Sequence, residues 1–169
     1  INPGDEVIIP APYWVSYPDM VMLADGIPVT VEATADADFK LTAAQLEAAI
    51  TPKTKLLLIN SPSTPTGMAY SADDLASLGE VIRKHPNIAV ATDDMYEKIL
   101  FDGKKFATFA QINPDLKDRT ITFNGTSKAY CMTGWRIGFC AGPRELIKAM
   151  SKVQGQSTSN PSSISQKAA

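Results

Sequence analysis

The chain has 169 residues, 44% of them apolar and 20% charged, which is ordinary composition for one packed core. A formal net charge of −2 leaves no basic stripe for nucleic acid, and the longest apolar runs, such as Lys55-Leu56-Leu57-Leu58-Ile59, are strand-sized and far short of a membrane span. Two cysteines, Cys131 and Cys140, with a single histidine in the chain offer neither a disulfide framework nor a zinc-ligand spacing, so no metal is expected and free thiols point to a reducing, cytoplasmic setting.

Apolar stretches of strand length alternate with helical patterns, which predicts an α/β layered fold. Strands are expected over 7–10, 28–31, 55–60, 88–93, 119–123 and 137–141. Several are rich in Ile, Val and Leu without alternation, as suits strands covered on both faces by helices. Thr42-Ala43-Ala44-Gln45 is a capping box that should open a helix carrying Leu46, Ala49 and Ile50 on one face, with Pro52 just beyond. Ser71-Ala72-Asp73-Asp74 is a second such box. Leu75, Leu78, Val81 and Ile82 follow it at helical spacing, and the two aspartates suit a positive helix start. Pro143 fits the first turn of a third helix with the apolar stripe Leu146, Ile147, Met150 and Val153, ending near Gly155. The stretch 156–166, rich in Ser, Thr and Asn, reads as a loop or linker, and the chain stops at Lys167-Ala168-Ala169, where a helix would start. It opens on Ile1-Asn2-Pro3 without methionine or leader and is expected to be an internal piece of a longer protein.

Four clusters lie where strands should end, the place where open α/β sheets bind ligands. In Thr122-Phe123-Asn124-Gly125-Thr126-Ser127-Lys128, a strand runs through a short polar turn into a lysine. Most lysines are surface groups, but burial would favour the neutral amine, a nucleophile able to form a Schiff base with an aldehyde. In Thr92-Asp93-Asp94-Met95-Tyr96, a carboxylate at the end of a buried strand needs a partner. A protonated pyridine nitrogen would serve, whereas a helix cap is the structural alternative, and the chemistry does not choose between Asp93 and Asp94. In Thr133-Gly134-Trp135-Arg136-Ile137-Gly138, the arginine offers a planar fork for a phosphate or, alternatively, a surface ion pair. Asn60-Ser61-Pro62-Ser63-Thr64-Pro65-Thr66-Gly67 is a rigid turn after a strand, structural or donor-bearing. Trp14, in Pro10-Ala11-Pro12-Tyr13-Trp14-Val15, suits stacking on a flat ring or packing in a core.

Together these clusters resemble the class I, fold-type I aminotransferases that use pyridoxal 5′-phosphate. The Asn-Ser-Pro…Pro-Thr-Gly turn, then Asp-x-x-Tyr after a buried strand, then Ser-Lys-Ala-Tyr followed by Thr-Gly-Trp-Arg-Ile-Gly match in order, and the last motif is the most specific. The likeness runs from Ile1 to Ala169, and Pro-Tyr-Trp-Val-Ser-Tyr-Pro looks like the bacterial aspartate aminotransferase branch. The resemblance implies a three-layer α/β/α sandwich around a mostly parallel mixed sheet. It implies that Lys128 bonds the cofactor aldehyde and shuttles the substrate α-proton, that Asp93 keeps the ring nitrogen protonated, and that Tyr96 bonds the phenolic oxygen. Arg136 is implied to hold the phosphate and Trp14 to stack on the ring beside the substrate.

One position departs from the pattern: Thr64 stands where the family has a substrate-binding asparagine, and threonine lacks the amide. The resemblance further implies that residues 1–169 are part of the cofactor-binding large domain. A glycine-rich phosphate turn would lie upstream, and a substrate arginine with the small domain downstream. The fragment alone would be inactive, and the whole enzyme a homodimer. The implied reaction is aspartate plus 2-oxoglutarate to oxaloacetate plus glutamate. An aromatic or prephenate aminotransferase and an aminotransferase-like transcriptional regulator domain are the alternatives.

Overall fold

The computed structural model describes residues 1–169. Strands β1 (Glu6–Ala11), β2 (Ile27–Glu32), β3 (Thr54–Asn60), β4 (Ala89–Asp93), β5 (Thr120–Gly125) and β6 (Gly138–Ala141) form one sheet in the order β2-β1-β3-β4-β5-β6. Neighbours run parallel except β5 and β6, which are antiparallel. All six fall on the segments read from sequence, with ends displaced by no more than two residues.

The run in β3 shows why an unbroken apolar strand belongs at the centre. Successive side chains point to opposite faces, so Leu57 and Ile59 enter one apolar layer while Leu56 and Leu58 face another. On the first face, Ile8, Leu57 and Val90 meet Leu46 of α2 (Ala43–Ala49), Leu75 of α3 (Ala72–Lys84) and Phe109 of α4 (Phe109–Ile112). Full burial of side chains of this size is worth about 1.5–3 kcal/mol each. Both predicted capping boxes form: Thr42 accepts from the Gln45 N–H and Ser71 from the Asp74 N–H, with each partner side chain reaching back. Arg119 caps the far end of α3, donating to the carbonyls of Ile82, His85 and Ile88 and tying the helix to the approach to β4.

On the second face, Tyr17 and Val21 of α1 (Ser16–Leu23) cover Val7 and Ile9. Beyond them the sheet is open. A groove of about 630 Å³ runs along it, with Leu58, Ala91, Ile121 and Phe123 on its wall. The expected α/β architecture with helices on both faces is present, with the second helical layer incomplete within these residues.

The third predicted helix forms as α5 (Arg144–Gly155) and ends at Gly155, but no residue of it is buried, and Val153 of its apolar stripe is 72% exposed. One reading is corrected: the Ser- and Thr-rich stretch 156–166 is not all loop, because α6 (Ser163–Ala168) begins within it. Pro143 sits just ahead of α5, at its N-cap. No helix is long and apolar enough to cross a membrane.

Candidate active site

Parallel strands carry their C-terminal ends to one edge of the sheet, so the loops that leave them share that edge. β3 ends at Asn60, β4 at Asp93 and β5 at Gly125. Asn60 and Asp93 are register partners across β3 and β4, and Asp93 pairs with Phe123 across β4 and β5. Tyr96 and Lys128 lie a few residues past the ends of neighbouring strands.

The alternation of the strand separates the two aspartates. Asp94 turns into the protein and is 3% exposed. Burial pushes its carboxyl up to about 6, against the opposing influence of the Thr108 and Thr92 hydroxyls. Asp93 is half-buried and faces the groove, where Trp14 and Tyr17 share the wall with it. The Tyr17 hydroxyl donates to Asp93 Oδ2 at 2.6 Å. Tyr17 is 5% exposed, and its phenol is held far above the usual range, first by burial and then by the Asp93 charge, so it keeps its proton as a donor. Asp93 Oδ1 accepts from the Met95 N–H, closing a turn of its own backbone, and no helix follows for it to cap. Of the two candidates left open by the sequence, the structure therefore puts Asp93 in the groove.

Trp14 stands edge-on to Tyr17, with ring centroids 5.5 Å apart and planes at 86°. It is 41% exposed, so it is not a core aromatic, and its ring borders the same groove as Asp93.

The 61–67 turn is braced internally. Ser63 N–H donates to the Met68 carbonyl, Gly67 N–H to the Ser63 carbonyl, and Gly67 adopts φ +73°, a conformation that glycine enters without a Cβ clash. The Thr64 N–H is taken by Asn60 Oδ1 at 2.7 Å. Thr64 and Tyr96 together border a second cavity, of about 440 Å³.

Lys128 Nζ lies 6.0 Å from the centroid of the Tyr96 ring, which places the lysine and the tyrosine of adjacent strand ends together. Lys128 is exposed in this chain. Burial therefore does not favour a neutral amine at Lys128, contrary to the expectation from sequence. Arg136 is also exposed, bonded through Nη1 to the Thr133 carbonyl at 2.9 Å, and it holds a left-handed backbone at φ +55°. Such a conformation costs an ordinary residue about 1–2 kcal/mol.

The free donors suit an anionic group. Lys128 takes part in no ion pair, the Arg136 guanidinium meets only one backbone carbonyl, and Thr126 Oγ1 is buried without a partner two residues before the lysine. No cluster of His, Cys, Asp or Glu offers a metal site. Sequence reasoning assigned no role to two residues of this edge, Tyr17 and Asn60. Each acts through Asp93 from far away along the chain, 76 and 33 positions off, so no local pattern reveals either contact.

The family model for aminotransferase class I and II matches residues 1–169. An aspartate/prephenate aminotransferase of Cereibacter sphaeroides is 64% identical over the whole chain, which spans 42% of that relative. An aspartate aminotransferase of Rhizobium meliloti is 60% identical over 99% of the chain and 41% of its own length. Among solved structures, the aspartate aminotransferase from Rhizobium meliloti superposes with a TM-score of 0.96 at 60% identity, over 98% of this chain and 42% of that one. The aromatic aminotransferase from Pyrococcus horikoshii reaches 0.94 at 37% identity, over 98% and 44%.

Proposed function

The chain belongs to the aminotransferase class I and II family, and from that premise we propose that it is the cofactor-holding part of a pyridoxal-phosphate enzyme that moves an amino group from aspartate to 2-oxoglutarate. Residues 1–169 match less than half the length of the relatives, so the activity is that of a longer protein. That protein works as a cytoplasmic homodimer, and this region forms part of its large domain.

One observation carries the reading: Asp93, at the end of a central parallel strand, is presented to the groove by a buried phenol 2.6 Å away. When bound, pyridoxal phosphate supplies an aldehyde for the substrate amine and a protonated ring that accepts the electron pair left at the α-carbon. The residues of this chain do the rest. Asp93 holds the proton on the ring nitrogen, and Tyr17 holds Asp93. Lys128 would hold the cofactor at its aldehyde, and its amine would move the proton at the substrate α-carbon. Tyr96, beside Lys128, donates to the phenolic oxygen. Arg136 would engage the phosphate, and Trp14, on the wall of the groove that Asp93 faces, would stack on the ring and border the substrate. Thr64, in place of asparagine, offers the substrate carboxylate a hydroxyl in a position where an amide would reach further.

The names of the relatives favour one second reading, transamination of prephenate alongside aspartate. The full-length protein, purified with pyridoxal phosphate, should show a visible absorbance band that borohydride fixes to Lys128. It should also turn over aspartate with 2-oxoglutarate. A band fixed elsewhere, or amino transfer from phenylalanine but not from aspartate, would overturn the assignment. Prephenate turnover at a rate comparable with that of oxaloacetate would support the dual specificity.

A further inference from the structure

We propose that Asn60 is a positioning residue whose side-chain amide fixes the 61–67 turn to the strand end carrying Asp93. The inference deepens the cofactor-site reading above and rests on it. Asn60 closes β3 directly beside Asp93 in the parallel register. Its Nδ2 donates to the Asp93 carbonyl at 2.8 Å, and its Oδ1 accepts from the Thr64 N–H at 2.7 Å. The same Asp93 carbonyl also receives the Ser61 N–H at 3.1 Å, so both of its lone pairs point into β3 and the turn that follows.

The turn does not satisfy the Thr64 N–H by itself. Its internal bonds use the N–H groups of Ser63 and Gly67. One amide therefore sets two positions: the backbone from which the Asp93 carboxylate projects, and the backbone from which the Thr64 side chain projects. Few side chains can do both. Aspartate keeps the acceptor for Thr64 but sets an oxygen against the Asp93 carbonyl, and alanine loses both bonds. Asn60 acts through these two neighbours, Asp93 and Thr64.

The test uses the full-length holoenzyme and its Asn60→Ala and Asn60→Asp variants. Each is measured for the dissociation constant of pyridoxal phosphate, the pH midpoint of the cofactor absorbance band, kcat and KM for aspartate, and the melting temperature of the apoprotein. Loss of one bridging amide should weaken cofactor binding and lower kcat by about tenfold each, with a displaced band midpoint and a smaller change in KM. If Asn60→Ala does not fold, Asn60→Asp, which retains the turn contact, carries the test. Variants that change only the melting temperature, with band midpoint, cofactor affinity and kcat as in the wild type, would overturn the proposal alone. A wild-type protein with no cofactor band would overturn the underlying reading with it.

Discussion

Tyr17 and Asp93, 76 positions apart in sequence, are joined by a 2.6 Å hydrogen bond from phenol to carboxylate. Tyr17→Phe keeps the ring and its packing against Val21 but removes the donor. A hydrogen bond to a charged group contributes about 1.5–3 kcal/mol. In the full-length enzyme, kcat/KM for aspartate should fall by about 10- to 100-fold, with the melting temperature lowered by no more than a few degrees. A variant within a factor of two of the wild type would show that the phenol does not condition Asp93.

Asp93→Asn should be more severe, because on the proposed reading it would leave the cofactor's ring nitrogen without its charged partner. Removing one member of a buried ion pair costs about 3–5 kcal/mol, so turnover should fall by about 100- to 5,000-fold while the fold persists. Tyr17→Phe added to Asp93→Asn should cost little more, since the two side chains work as one unit. Steady-state kinetics of the two single variants and the double variant check both statements.

Asp94 gives a pH dependence of opposite origin. Its carboxyl sits at about 6 in the folded chain because it is buried, against about 3.9 when unfolded. Between these values the folded form retains a proton that the unfolded form releases. The stability contributed is therefore full below about pH 4 and is lost as pH rises through 6. Asp94→Asn should leave stability at pH 4 almost unchanged and raise it by about 1–3 kcal/mol at pH 7. Urea unfolding at the two pH values measures the difference, and an equal effect at both would contradict the burial argument.

Gly79 is a packing requirement on the far side of the sheet. A Cβ at this position would run into the side-chain amide of Asn113. That amide is 1% exposed, donates to the Leu75 carbonyl at 3.0 Å and accepts from Arg83 at 3.1 Å. Gly79→Ala should destabilise the fold by about 2–4 kcal/mol through overpacking and a displaced buried amide. The kcat of the folded fraction should be unchanged, as kinetics and chemical denaturation together would show.

What the sequence discloses depends on how local the physics is. β3 and β4 are legible because strands covered on both faces must be apolar throughout, and the helices begun by Thr42 and Ser71 are legible because a capping box lies within four residues. The motif residues Lys128, Asp93 and Tyr96 are legible by resemblance, and they converge on adjoining strand ends. Tyr17 and Asn60 were not, since their partners are set by strand order rather than by neighbours in the chain. The exposure of Lys128 and of the α5 stripe was equally hidden, because an apolar or reactive residue does not encode what lies against it.

The adjacency of Asp93 and Asp94 makes β4 a vernier for the site. Side chains alternate at every step along a strand, so sliding β4 by a single residue would hand the groove to the other acid and push Asp93 among the hydrocarbon packing. The site would still contain a carboxyl group, but one without a phenol to hold it. Insertions or deletions within 89–93 are thus far more damaging than changes of length in the loop that follows, and a comparison of tolerated length variants along the gene should show a gap at this point.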